Sequence, residues 1–182
     1  MNKDRIPCIW NNIFFIISII NIIIIIGFIM YKNKTDNQKL FNTLVFIFTI
    51  TCAVRSIYPR CDSTGYCIHK NYISTPFVGR SMATFAEISF GILIVKTVNI
   101  FLNSTNEKIN NENINNLLNL NNISLILPII AQVFCWIGIT TKNSLYNGIE
   151  ESLWTVFGIS KFYTLIKLVS IIGDNNDFKL RN

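Results

Sequence analysis

Arg80 and Glu87 stand seven residues apart in a stretch that is otherwise largely apolar. On a helix that spacing is two turns, so the two side chains share a face with Thr84 and Gly91. A charged group taken to mid-membrane costs roughly 2.5–3.5 kcal/mol and normally faces a partner or a water-filled cavity. The same reasoning singles out Arg55, with Cys52 nearby, and Gln132, with Pro128, Cys135 and Trp136 around it. It also singles out the adjacent carboxylates Glu150 and Glu151, followed by Trp154. A carboxylate at Glu87, Glu150 or Glu151, opposed by Arg55 and Arg80, is chemistry for holding a proton, a cation or an amine. The competing reading is a buried ion-pair network that only fixes helix packing.

Membrane-spanning helices are the elements that must carry these groups. Of 182 residues, 51% are hydrophobic and 14% charged, against about 25% charged in soluble domains, and the mean hydropathy is +0.41. A helix crosses the hydrocarbon in about 20 mostly apolar residues. Five stretches qualify: 13–31, 40–58, 77–102, 123–141 and 145–172. The first contains no charge, exceeds the roughly 7–15 residues of a signal-peptide core, and is followed by no A-x-A site, so it reads as a retained helix. The last is interrupted by Glu150, Glu151, Lys161 and Lys167, which makes four spans plus an interfacial amphipathic helix the alternative. The fold class expected is all-α, a multi-pass transmembrane helical bundle of about five helices forming one domain over residues 1–182. Between the third and fourth helices, the Asn-dominated tract 103–122 reads as a flexible cytosolic loop. Ile109, Ile114, Leu117 and Leu118 offer a short surface helix there as the alternative.

Consecutive spans alternate in direction. Arg55, Arg80, Trp136, Glu150, Glu151 and Trp154 are therefore expected in one leaflet, with Glu87 and Gln132 deeper, each roughly 13–15 Å in from that end by the helical rise. Orientation follows the Lys and Arg content of short loops. With the N-terminus outside or lumenal, the inner segments hold Lys32, Lys34, Lys39, Lys108, Lys179 and Arg181. The outer segments then hold Lys3, Arg5, Arg60, Lys70 and Lys142, a narrow difference that sets the expected topology. Sequons at Asn33, Asn103 and Asn122 fall on the inner side and point the other way, but chance sequons are expected in so Asn-rich a chain and are discounted. Trp10, Trp136, Trp154 and Tyr58 read as an aromatic belt, and Lys96, Lys161 and Lys167 as snorkelling lysines.

Five cysteines rule out complete pairing within one chain. Cys61 and Cys67 could close a small disulfide loop, two free thiols being the alternative. Cys61, Cys67 and His69 would supply three metal ligands, but that loop offers no fourth and the spacing matches no common zinc pattern, so no metal is expected. The sequence contains no GxxxxGK[ST], GxGxxG, HExxH or GxSxG, and implies no cofactor. The formal charge of +6 sits in Lys and Arg flanking or within apolar segments, without a basic arm, so no nucleic-acid partner is expected.

The expected partners are the lipid bilayer and either a second copy or other membrane proteins. Self-association would suit a transporter, for which 182 residues is small. The leading functional expectation is small-solute or proton binding or transport through the Arg/Glu cluster. The alternatives are a membrane-embedded enzyme acting on a lipid or lipid-linked substrate, with Glu150 or Glu151 as acid or base, and a structural or assembly subunit. No residue is assigned a catalytic role.

Overall fold

In a computed structural model, residues 5–30, 35–58, 72–109 and 112–181 are described. They form six α-helices: α1 Arg5–Met30, α2 Asp36–Ile57, α3 Pro76–Ile109, α4 Glu112–Ile123, α5 Ile126–Thr141 and α6 Ser144–Arg181. A short 3₁₀ turn, Tyr72–Ser74, precedes α3. No strand occurs among the described residues. The class is all-α, and the chain is an integral membrane protein. Gln38–Ile57, Pro76–Glu107, Glu112–Thr141 and Ser144–Gly173 are long and apolar enough to cross a bilayer, and α1 carries the shorter apolar run Asn12–Gly27.

The chain divides into two compact units, Met1–Phe90 and Gly91–Asn182, with the boundary inside α3. In the first, α1 packs on α2. Thr35 opens α2 with a reciprocal cap: its hydroxyl accepts from the Gln38 amide N–H at 3.3 Å, and the Gln38 side chain accepts from the Thr35 N–H at 3.2 Å. The helix closes at Tyr58, which leaves helical geometry at φ −118°, ψ 71°. Pro59 follows it in sequence, and the α region is sterically disfavoured for a residue before proline. Ring stacking between Phe48 and Phe90, centroids 5.3 Å apart, joins α2 to the first part of α3.

In the second unit α5 and α6 form a hairpin. Its turn rests on Lys142, left-handed at φ 54°, and on Asn143, whose side-chain oxygen accepts from the Leu145 N–H at 3.0 Å. Gly138 makes the close helix approach possible, because a Cβ there would lie 2.6 Å from Asn147 Oδ1 and 3.3 Å from Tyr146 Cβ. Val98 and Leu102 of α3, Ile114 and Leu117 of α4, and Leu168 of α6 bury one another in the core.

The Asn-rich tract is not a loop along its length. Helix α3 continues to Ile109, and Glu112–Ile123 is helical. Ile114, Leu117 and Asn121 recur at spacings of three and four, which makes one buried face, while the intervening Asn113, Asn115, Asn116 and Asn119 face outward. Packing of that face against α3 and α6 supplies the apolar burial that the composition of the tract conceals.

Candidate functional site

Hydrocarbon offers no water to satisfy polar groups, so each must find a partner within the protein. Most hydroxyls on the spans do so locally, donating to the carbonyl one turn back. Thr49 bonds Val45 O, Thr51 bonds Ile47 O, Thr97 bonds Leu93 O and Thr164 bonds Ser160 O, all at 2.7–2.9 Å. Against that background, side chains reaching across turns or between helices stand out. Asn106 Nδ2 of α3 donates to Asn115 Oδ1 of α4 at 3.1 Å, and in each unit one such group is built on a charged side chain.

The first is Arg80 with Glu87. The guanidinium forks onto the carboxylate, Nη1 to Oε1 and Nη2 to Oε2, both at 3.4 Å. Both residues sit on α3, as their spacing predicts. The Arg80 side chain is 9% exposed and that of Glu87 27%. A tight charge-assisted N–H···O bond measures about 2.7–2.9 Å, so this fork is loose and its carboxylate is the more open end.

The second group was not legible as a site. Asn99 of α3, Asn121 and Asn122 of α4, Ser124 at the α4–α5 break and Lys161 of α6 form one hydrogen-bonded chain. Asn99 Nδ2 donates to Asn122 Oδ1 at 2.7 Å. Asn121 Nδ2 donates to Asn99 Oδ1 at 2.8 Å and to the Val95 carbonyl at 2.9 Å. With its amide nitrogen so engaged, Asn121 turns its oxygen toward Lys161. The Lys161 ammonium donates to Asn121 O at 3.0 Å, to Asn121 Oδ1 and to Ser124 Oγ. Ser124 in turn donates to Asn121 O at 2.6 Å. Nζ also lies 4.7 Å from the centre of the Phe157 ring, a favourable cation–π distance.

Proline chemistry explains why α4 stops here. Pro128 has no N–H to give the Ser124 carbonyl, and its ring would clash with that carbonyl in a continuous helix. Ser124 O is taken instead by the Leu127 N–H at 3.1 Å, a tighter i to i+3 bond. Pro128 is buried and seats against Gly91, where an added Cβ would meet its Cγ at 3.3 Å.

The expectation that Lys161 snorkels is corrected. The residue is 6% exposed and bends onto the end of α4, because three oxygens there match its three N–H groups. Lys96 and Lys167 are exposed, Lys167 with its ammonium 6.0 Å from the Tyr163 ring centre.

Of the other residues expected to act together, Arg55, Arg80 and Glu87 belong to the first unit. Gln132, Trp136, Glu150, Glu151 and Trp154 belong to the second. Arg55 is exposed on α2, while Gln132 is buried on α5. Glu150 is buried and Glu151 exposed, since neighbours on a helix point about 100° apart. Those two carboxylates therefore have different surroundings. Trp136 is half-buried, and so is Trp154, which meets Phe157 edge-on at 5.7 Å. Cys61 and Cys67, the expected disulfide pair, and His69 lie outside the described residues. Among the described residues, no three His, Cys, Asp or Glu cluster closely enough to hold a metal ion.

One signal for the missed site was present in the sequence. Lys161 has no acidic residue three or four positions away on its own helix, where Phe157, Gly158, Thr164 and Leu165 stand. Its partner had to come from elsewhere in the fold. Compared with known proteins, the chain matches no family model, and no characterised protein or solved structure is similar to it.

Proposed function

We propose that this membrane protein binds and passes a proton or a small cationic solute, with Glu87 as the accepting carboxylate and Arg80 as its counter-charge. The observation that supports this is the loose Arg80–Glu87 fork inside the Pro76–Glu107 span, with the carboxylate the more exposed partner. Protonating Glu87 would remove the negative charge facing the guanidinium, giving the site two charge states that a transport cycle needs. By the loop-charge rule the N-terminus is placed outside, so the start of α3 faces the outer side.

Glu87→Gln tests the proposal, because it keeps the side-chain size and one acceptor oxygen but cannot take up a proton. Purified protein would be sealed into liposomes containing a pH-sensitive dye and given a pH step. The expected result is proton entry through the wild type, and entry at least about tenfold slower through E87Q, corresponding to about 1.4 kcal/mol or more in the barrier. Its thermal unfolding should stay close to that of the wild type. Retained flux in E87Q refutes the role of Glu87. Collapse of the folded protein in step with lost flux favours a structural pair.

A further inference from the structure

We propose that the α4–α5 break is a monovalent-cation site, and that the Lys161 ammonium occupies it as a tethered cation. The inference is separate from the Glu87 reading and shares no residue with it.

The chemistry of the donors comes first. Lys161 is held by a backbone carbonyl, an amide oxygen and a hydroxyl, all neutral. Oxygen donors of this kind suit a singly charged cation, whereas divalent ions at protein sites draw on carboxylates. The Asn121 carbonyl lies in the last turn of α4, among the carbonyls that an ending helix leaves without N–H partners. These carry the negative end of the helix dipole. Interrupted membrane helices coordinate cations in this way, through C-terminal carbonyls freed by the break.

The second observation is that the oxygens are aimed before the cation arrives. Asn121 cannot flip, because its Nδ2 is committed to Val95 O and Asn99 Oδ1. Asn99 cannot flip either, because its own Nδ2 is committed to Asn122 Oδ1. Ser124 spends its proton on Asn121 O and so presents lone pairs to Lys161. Every dipole in the chain points its negative end toward Nζ, and aligned hydrogen bonds of this kind reinforce one another. A lysine serving only to fill space would not need three fixed acceptors at 6% exposure.

Position puts the site within the hairpin's two spans. Lys161 and Ser124 lie about 18 residues either side of the Lys142–Asn143 turn, or about 27 Å along the hairpin by the helical rise. Ser124 falls within the Glu112–Thr141 span and Lys161 within the Ser144–Gly173 span, so the site lies inside the spans rather than at their ends.

Lys161→Ala opens the site by removing the tethered cation and leaving the acceptors. Thermal unfolding of the purified variant would be followed in choline chloride, too large a cation to enter, and in sodium, potassium or methylammonium chloride at equal ionic strength. The expected result is a melting temperature at least about 4 °C below wild type in choline. At least one of the small cations should restore it, rising to a plateau with concentration as for any ligand that binds the folded state. The wild type should show no dependence on which cation is present. Lys161→Met provides the second reading. Its apolar bulk fills the same space, so its melting temperature should be indifferent to cation identity. An equal response in K161M would place the effect elsewhere and overturn the proposal. So would a K161A melting temperature that is the same in all four salts, or failure of K161A to fold in sodium, potassium and methylammonium alike.

Discussion

Asn121→Leu is the sharpest probe of the buried polar chain. Leucine shares asparagine's branch at Cγ and suits a helix but is bulkier, so the change removes hydrogen bonds without opening a cavity, and any overpacking adds to the cost. The Asn121 side chain donates to Val95 O at 2.9 Å and to Asn99 Oδ1 at 2.8 Å, and accepts from Lys161. Interhelical hydrogen bonds between membrane helices average about 0.6 kcal/mol each, and a bond to a charged group contributes about 1.5–3 kcal/mol. Val95 O also serves its own helix, so its loss counts least. Lys161 keeps two of its three acceptors, Asn121 O and Ser124 Oγ, and these depend only on the backbone and on Ser124. The net cost expected is about 3 kcal/mol, the charged bond carrying most of it. For a chain of this length that is a fall of about 6–12 °C in melting temperature. Circular dichroism of the detergent-solubilised protein, heated in parallel with the wild type, measures it. A fall of less than about 2 °C would refute the reasoning, since a fully engaged buried amide cannot be lost so cheaply. Asn116→Leu is the control, because Asn116 is exposed on the same helix, and it should melt within about 2 °C of wild type, as surface changes do.

Gly138→Val should destabilise the α5–α6 hairpin by about 1–3 kcal/mol, since even its Cβ would lie 3.3 Å from Tyr146 Cβ and within 2.6 Å of Asn147 Oδ1. The same melting experiment checks it. Gly148→Ala should do the reverse, because nothing lies within 4 Å of an added Cβ and alanine is up to about 1 kcal/mol better than glycine in a helix. The outside placement of the N-terminus predicts that a single cysteine retained at Cys61 reacts with a membrane-impermeant maleimide added to intact cells. Labelling only after permeabilisation would reverse the topology.

How much of this was legible depends on the range of the interaction involved. Helices appear wherever a long apolar run does, because a span is a local property of about 20 consecutive residues. The helix end at Tyr58 before Pro59 is equally local. The Arg80–Glu87 pair could be read for the same reason, since both residues lie on one helix and the 3.6-residue period alone puts them on one face. The Asn-rich tract resisted because composition is an average, whereas burial follows spacing. Ile114, Leu117 and Asn121 are few among many asparagines, but they fall on one stripe.

By itself the sequence determined an all-α membrane protein, the approximate positions of its spans, and an Arg/Glu pair on a shared face. Only the tertiary structure decided which way Lys161 bends, that Glu150 is buried while Glu151 is exposed, and that two asparagines 22 residues apart, Asn99 and Asn121, are bonded. A lysine stem can reach outward to the interface or inward to oxygen with equal covalent ease. Its direction is set by acceptors from α4 and the α4–α5 break, about 40 residues away in the chain, and helical periodicity carries no information over such a distance.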